Sequence, residues 1–300
     1  MNYPAQFSPF SLRCRRGTVT FRRPAVMGIL NATADSFYDG GRYNRPDALL
    51  SHARELLQQG ADILDLGVMS SRRGAAILSP ADVAAKLAPL VALLRTELPD
   101  ALISVDTCQS LPATRAVEAG ADIINDISGG QLDPQMLPTV VSLGVPYILM
   151  HMRGTPATML LPENTRYDDI VDDLARYYDQ RLNLLSPLGP DRIILDPGLG
   201  FAKTVEQNHE LLHRLPELIR RFPQYPMLVA LSNKSMITRR LADFADHYGP
   251  ATPPLPDSEL GTLVLNTVAL SGGASLLRVH TPRPTRLAIS LLFGGEPPLV

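Results

Sequence analysis

The chain has 300 residues, of which 45% are hydrophobic and 19% are charged, and this balance is typical of a globular protein with one sizeable core. The formal net charge of −2 gives no reason to expect a nucleic-acid or membrane partner. Two cysteines are too few for a disulfide framework, and residues 1–17 lack the apolar core of a signal peptide, so we expect a reducing, cytoplasmic location.

Strand and helix patterns alternate along the chain after a short N-terminal segment. A weak alternation around residues 18–21 predicts a hairpin within 11–22. Short β-branched runs then predict strands at 25–30, 62–66, 102–105, 122–124, 145–150, 193–195, 227–231 and 276–279. Amphipathic segments predict helices at 46–59, 79–97, 133–143, 167–185, 205–221, 258–270 and 282–292, with two more ending at 119 and starting at 232–235.

Eight strand–helix units with short connections predict parallel strands joined by right-handed crossovers. An open doubly wound sheet also fits this alternation, but no G-x-G-x-x-G follows the first strand. The fold class predicted is therefore α/β, a (β/α)8 TIM barrel with a short N-terminal β-hairpin. We expect an extension or hairpin over 1–24, the barrel over 25–293 and a tail over 294–300, with the proline-rich residues 250–256 forming a surface loop.

Polar side chains stand where the predicted strands end, and in such barrels the loops after the strands build the active site. The most informative stretch is residues 192–204, in which a buried-strand pattern stops at Asp196 and is followed by Pro197, Gly198 and Gly200. The other strand-end residues are Asn31, Ser70, Ser71, Arg72, Asp106, Asn125, Lys234, Ser235, Arg278 and His280. Each could be a helix cap or a solvated charge, but together they predict one shared pocket.

This pocket combines two kinds of chemistry. Two carboxylates and a carboxamide suit a flat heterocycle with adjacent N–H donors and a carbonyl, such as an aminopyrimidinone. Cations at Arg72, Arg278 and His280, together with Ser71, suit phosphate or pyrophosphate. Asn31 could complete a magnesium shell, whereas His151 is expected to be a strand-end histidine bonded to backbone.

Several ordered motifs resemble those of dihydropteroate synthase, over about residues 25–289. They are Met27–Gly41 (MGILNATADSFYDGG), Ser104–Thr107 (SVDT), Ile123–Ser128 (IINDIS), Leu149–Pro156 (LMHMRGTP), Leu195–Lys203 (LDPGLGFAK), Lys234-Ser235 and Arg278–His280 (RVH). The resemblance implies condensation of 6-hydroxymethyl-7,8-dihydropterin pyrophosphate with 4-aminobenzoate, which yields 7,8-dihydropteroate and pyrophosphate in folate biosynthesis. It also implies Mg²⁺, a homodimer and sensitivity to sulfonamides.

Carried over to this sequence, the resemblance assigns overlapping groups of residues to the substrates. The pterin would contact Asp106, Asn125, Met150, Asp196, Lys234 and Arg278. The pyrophosphate would contact Asn31, Ser71, Arg72, Arg278 and His280, with Asn31 also a magnesium ligand. The aminobenzoate would contact Ser71, Phe201, Lys234 and Ser235, and the catalytic group would be Asp106, Asp196, Lys234, Arg278 and His280.

The sequence departs from the family pattern in the loops. Arg73 stands where proline is usual, Asn233 replaces an arginine, and Ala34, Ala230 and Thr281 replace proline, glycine and aspartate. These departures predict altered sulfonamide affinity and keep two alternatives open. One is a catalytically weak pterin-binding homologue, and the other is the pterin-binding domain of a methyltransferase.

Overall fold

The computed structural model describes residues 7–32, 45–68, 78–248 and 257–294. Its strands are β1 (Phe10–Cys14), β2 (Gly17–Phe21), β3 (Ala25–Asn31), β4 (Ile63–Gly67), β5 (Leu102–Asp106), β6 (Ile123–Asp126), β7 (Tyr147–Met150), β8 (Ile193–Asp196), β9 (Leu228–Ala230) and β10 (Leu276–Val279). Its helices are α1 (Arg45–Gln58), α2 (Pro80–Glu97), α3 (Ser110–Glu118), α4 (Met136–Leu143), α5 (Ile170–Leu184), α6 (Val205–His213), α7 (Leu215–Arg221), α8 (Ser235–Tyr248), α9 (Asp257–Ser271) and α10 (Pro282–Phe293).

The strands β3 to β10 form one parallel sheet in the order β8-β7-β6-β5-β4-β3-β10-β9. A parallel bridge between Leu195 and Met227 joins its two ends, and the N–H of Leu195 donates to the carbonyl of Pro226 at 3.0 Å. The sheet is therefore closed, with helices between successive strands, and the predicted barrel with an N-terminal hairpin is confirmed.

Side chains at every second strand position point into the barrel. Near the start of the strands these positions form an apolar ring made of Ile63, Leu102, Ile123, Ile148, Ile194, Leu228 and Leu276. Two residues further along these seven strands lies a mainly polar ring (the polar ring), made of Asp65, Ser104, Asn125, Met150, Asp196, Ala230 and Arg278. The side chains inside the barrel thus change from apolar to mainly polar towards the carboxyl ends of the strands.

The hairpin β1–β2 covers the amino-terminal mouth of the barrel. Leu12 and Phe21 are buried against the apolar ring, which removes an exposed hydrophobic mouth from water. A two-residue turn joins the strands, and its Arg16 donates from Nε to Asp122 at 3.0 Å. The hairpin is consequently fixed to the barrel by both apolar packing and an ion pair.

A repeated Gly-Ala-Asp-Ile sequence starts β4 and β6. Asp62 and Asp122 each accept a backbone N–H from a neighbouring strand, that of Val26 and that of Ile103, both at 2.9 Å. Asp122 also accepts from Arg95 at 2.6 Å. Burial raises the pKa of Asp62 to about 6, although Arg23 opposes that shift. The repeat therefore anchors strand starts through buried carboxylates with arginine partners.

Several helix boundaries differ from prediction: the helix expected from 133 begins at Met136, and two further differences have a clear physical cause. The segment 205–221 is two helices separated at Arg214, because Pro216 has no N–H to continue the first one. The helix expected from 167 begins at Ile170, where the Asp169 carboxylate caps it by accepting from Val171 and Asp172. No helix within the described ranges is long and apolar enough to cross a membrane.

We predict that Arg95→Ala lowers the free energy of unfolding by about 3 kcal/mol, because it breaks a largely buried ion pair with Asp122. Arg95 also donates to the carbonyl of Gly120, which would lose its partner. Urea unfolding measures the effect. Arg54→Ala is the matched control: it removes the exposed pair with Glu97 and should cost under about 1 kcal/mol. Equal losses would contradict the anchoring role.

Candidate active site

Asp65 is the β4 member of the polar ring and is completely buried. Its Oδ1 accepts from the Ser104 hydroxyl at 2.6 Å, and its Oδ2 accepts from Nδ2 of Asn125 at 3.0 Å and from Nε of Arg278 at 2.6 Å. A buried carboxylate is tolerated when it is paired and fully hydrogen-bonded. Asp65 therefore links β4, β5, β6 and β10 at the depth where the interior becomes polar.

Arg278 is held between two carboxylates. Besides its bond to Asp65, it donates from Nη2 to Asp106 at 3.0 Å. Burial raises the pKa of Asp106 to about 6; the Arg278 charge opposes this shift, whereas the nearby Asp65 carboxylate adds to it. For Arg278, burial is outweighed by the two acids, so that its pKa is raised. The cation is thus fixed beside Asp106 at the carboxyl end of β5.

Asp196 and Lys234 form a second charged group across the barrel mouth. The Asp196 carboxylate accepts the N–H of Gly198 at 2.8 Å, and burial raises its pKa while Lys234 counteracts the shift. Burial lowers the pKa of Lys234 to about 8, with Asp196 opposing. Lys234 donates to the carbonyl of Leu199, and its Nζ lies 4.7 Å from the centre of the Phe201 ring. The two groups are electrostatically coupled above the loop after β8.

Lys203 stabilises the loop after β8 by donating hydrogen bonds to its backbone. Its Nζ lies 3.1 Å from the carbonyl oxygens of Gly198 and Phe201 and 3.1 Å from Nδ1 of His151. Burial lowers the pKa of Lys203 to about 7. For His151, burial and then the Lys203 charge hold the pKa well below its usual range, which fits a neutral ring that accepts at Nδ1. The expectation that this ring bonds to backbone misses Lys203 as its main partner.

His280 stands at the exposed end of β10 beside the loop after β9. The Ser232 hydroxyl accepts the backbone N–H of His280 at 3.3 Å and lies 2.9 Å from its Nδ1. Nδ2 of Asn233 is 3.5 Å from the same ring nitrogen. Burial, then the neighbouring Arg278, lowers the pKa of His280. Asn31 ends β3 with an exposed side chain.

The structure gathers most of the predicted site residues at one end of the barrel. Met150 is buried with Met152 and Ala202, next to Phe201, and Ser235 begins α8 directly after Lys234. Ser71, Arg72 and Arg73 lie outside the described residues, as does most of the motif 27–41. The described group therefore presents carboxylates, an amide, and the cations Lys234 and Arg278 at one mouth of the barrel, and groups of this kind can bind a polar heterocycle or an anion.

Sequence reasoning missed Asp65, Ser104, Lys203 and Ser232. Asp65 stands inside a strand rather than at its end, so the strand-end pattern does not select it. The sequence does contain a signal, because Asp65 and Asn125 each lie two residues after a Gly-Ala-Asp-Ile repeat. A charged residue in an otherwise apolar strand is also seldom buried without a partner.

Comparison with known proteins places this geometry in a family. Residues 27–280 match the pterin-binding enzyme family. Dihydropteroate synthase of Synechocystis is 40% identical over 261 residues, which cover 86% of both chains. A crystal structure of Xanthomonas albilineans dihydropteroate synthase with 4-aminobenzoic acid superposes with a TM-score of 0.80 at 32% identity, covering 95% of this chain and 97% of that one.

Other relatives are longer than this chain. The mitochondrial folate synthesis bifunctional protein of Arabidopsis thaliana is 39% identical over 269 residues, which are 86% of this chain but 47% of the plant protein. The chain thus spans about half the length of that relative. The mitochondrial description of the plant protein leaves the cytoplasmic location of this chain a prediction.

We predict that Lys203→Met lowers the free energy of unfolding by about 2–3 kcal/mol, because one buried and one partly buried carbonyl oxygen and His151 lose their donor. The thermal unfolding midpoint at pH 6 provides the measurement. Lys86→Met, at an exposed position of α2, is the matched control and should change the free energy by less than about 0.5 kcal/mol. A Lys203 variant as stable as this control would show that the loop does not depend on the ammonium group.

Proposed function

The chain belongs to the pterin-binding enzyme family, and from that membership we propose that it is a dihydropteroate synthase. In this reaction the amine of 4-aminobenzoate attacks the methylene carbon of 6-hydroxymethyl-7,8-dihydropterin pyrophosphate. A C–N bond forms, the C–O bond breaks with its electron pair leaving on pyrophosphate, and the amine loses one proton. The products are 7,8-dihydropteroate and pyrophosphate.

The observation that supports this proposal most directly is the polar ring inside the barrel. Asn125 and Asp196 are almost completely buried in it, at 3% and 4% exposure. Asp106 ends β5, two residues beyond the ring member Ser104, and its side chain is partly exposed. Carboxylates accept the adjacent N–H donors of an aminopyrimidinone, and the Lys234 ammonium can donate to its carbonyl oxygen. Met150 supplies an apolar wall for the flat ring.

Cations at the rim are suited to the leaving group. Arg278 supplies a charge and His280, whose lowered pKa leaves its ring neutral, supplies a hydrogen-bond donor at the same strand end. Lys234 precedes the amino terminus of α8, where free N–H groups favour anions. Pterin nitrogen electrons can delocalise positive charge developing on the methylene as the C–O bond lengthens. The chain's residues would then act mainly by holding the pyrophosphate and aligning the amine.

We propose Mg²⁺ as the metal, with the Asn31 carboxamide oxygen as one ligand. Within the described ranges no group of three or more His, Cys, Asp or Glu side chains could form a metal cage. An exposed amide oxygen at a strand end fits an ion that keeps waters and takes its other ligands from a diphosphate. Bound there, Mg²⁺ would neutralise charge on the departing pyrophosphate together with Arg72, and the Ser71 hydroxyl would donate a hydrogen bond to it.

We also propose that Phe201, Lys234 and Ser235, with Ser71, border the 4-aminobenzoate site, so that sulfonamides compete there with an affinity altered by Arg73 and Asn233. Sulfonamide inhibition constants for wild type and Asn233→Arg show whether Asn233 alters the affinity.

For the homodimer, we propose the surface of α9 and α10 that exposes Leu260, Val264, Leu287 and Leu291. The mass of the full chain by light scattering tests it.

The decisive experiment measures pyrophosphate release from the pterin pyrophosphate with Mg²⁺, with and without 4-aminobenzoate. We expect release to require aminobenzoate and to yield dihydropteroate. Asp196→Ala and Lys234→Ala should each lower kcat/KM by about 100-fold, the scale reported for losing one oriented polar group in a site. Asp191→Ala, at an exposed surface pair with Arg13, should leave it unchanged.

Other outcomes identify the alternatives. Pterin binding without product would favour the catalytically weak homologue. Binding that does not distinguish the pyrophosphate ester from the free pterin alcohol would favour the methyltransferase domain.

The raised pKa of Asp106 predicts an acid limb in the pH profile. Above about pH 6 the carboxylate is charged and accepts N–H donors, whereas below that pH it is protonated and pterin affinity falls. The dissociation constant of the pterin, measured from pH 5 to pH 8, should therefore rise towards low pH. Asp106→Asn should bind more weakly at pH 8 and show a shallower limb; an unchanged limb would assign it to another group.

A further inference from the structure

We propose that Asp65 is a positioning residue whose carboxylate fixes Asn125 and Arg278 in the orientations that bind the pterin substrate. This inference rests on the proposed function and adds a residue to the same site. Asp65 is completely buried beneath Asn125 and Arg278, so it acts through these two side chains rather than by touching the substrate.

Asp65 determines which way the Asn125 carboxamide faces. An ionised carboxylate only accepts hydrogen bonds, so Nδ2 of Asn125 must turn towards Asp65, as its 3.0 Å contact shows. The amide oxygen of Asn125 is then directed away from Asp65 and serves as an acceptor. An amide that was free to rotate by 180° could present its NH2 donor at that point instead and would discriminate poorly among heterocycles.

Asp65 also fixes the plane of the Arg278 guanidinium. Nε is bound to Asp65 at 2.6 Å, and Nη2 is bound to Asp106 at 3.0 Å. Because two different nitrogens of the guanidinium are each bound to a carboxylate, the plane of the group is fixed. Asp106 alone would leave one point of attachment, about which the guanidinium could swing, and an arginine face offered to a flat ring would lose its orientation.

The Ser104 hydroxyl completes the arrangement. It donates to Oδ1 of Asp65 at 2.6 Å, leaving Oδ2 to receive Asn125 and Arg278 together. All three partners come from different strands, so Asp65 couples the carboxamide on β6 to the cation on β10. Removing its charge should therefore disturb both binding groups at once.

The test compares pterin pyrophosphate binding by calorimetry in wild type, Asp65→Ala and Asp65→Asn. We expect Asp65→Ala to weaken binding by about 30-fold, the scale of losing a charge-assisted hydrogen bond. Asp65→Asn should be intermediate, because its amide oxygen can still accept while Ser104 turns to accept from the new amide nitrogen. Asp62→Ala is the matched control. It removes a buried, arginine-paired acid three residues earlier in the chain and should lower stability without weakening binding.

A double-mutant cycle shows whether Asp65 acts through Arg278. In an Arg278→Ala background, Asp65→Ala should weaken binding by less than about 5-fold, because its main partner is gone. The same factor in both backgrounds would overturn the positioning role, as would equal weakening by Asp62→Ala.

A spectroscopic measurement needs no substrate. The Nε–H of Arg278 should give a slowly exchanging nuclear magnetic resonance signal, identified by its loss in Arg278→Ala. It should disappear in Asp65→Ala and persist in Asp62→Ala. Persistence of the signal in Asp65→Ala overturns the positioning role by itself, whereas wild-type protein that fails to bind the pterin overturns the proposed function.

Discussion

The Asp65 carboxylate is the constraint on which the polar half of the barrel depends. A charge with no exposed surface would be strongly unfavourable in an apolar interior, and it is tolerated because Ser104, Asn125 and Arg278 all donate to it. These partners belong to three different strands, so the requirement to satisfy one carboxylate also determines the relative positions of the groups around it. The neighbouring Asp106 forms a second ion pair with Arg278, so that the same guanidinium connects Asp65 to the mouth of the barrel.

The lower half of the barrel provides the rigid base for that network. The apolar ring and the hairpin residues Leu12 and Phe21 form one buried cluster, and close packing of this kind has low compressibility. Asp62 and Asp122 anchor strand starts by accepting backbone N–H groups. Because the polar ring lies only two residues beyond the apolar ring along the strands, the positions of the site side chains follow from the register of the strands.

Much of this organisation could be predicted from the sequence, because strand-end chemistry and barrel topology are both local patterns repeated along the chain. The positions of Asp106, Asn125, Asp196, Lys234 and Arg278 at the ends of β-branched runs predict a shared site, and parallel closure brings them to one mouth. The partner of a buried side chain depends on the closed sheet, so pairings such as Lys203 with His151 could not be read from either segment alone.

Asn233 shows how a departure from the family pattern can be local in its effect. Its backbone has a φ of 57°, in the left-handed region where asparagine is enriched, and its N–H reaches Thr262 at 3.3 Å. The loop after β9 therefore accommodates this residue without strain on the barrel. Its side chain approaches His280 at the rim and makes no described bond to the polar ring. The substitution should consequently affect recognition of the anion and the aminobenzoate, while the pterin pocket, which depends on Asp65 and its partners, is preserved.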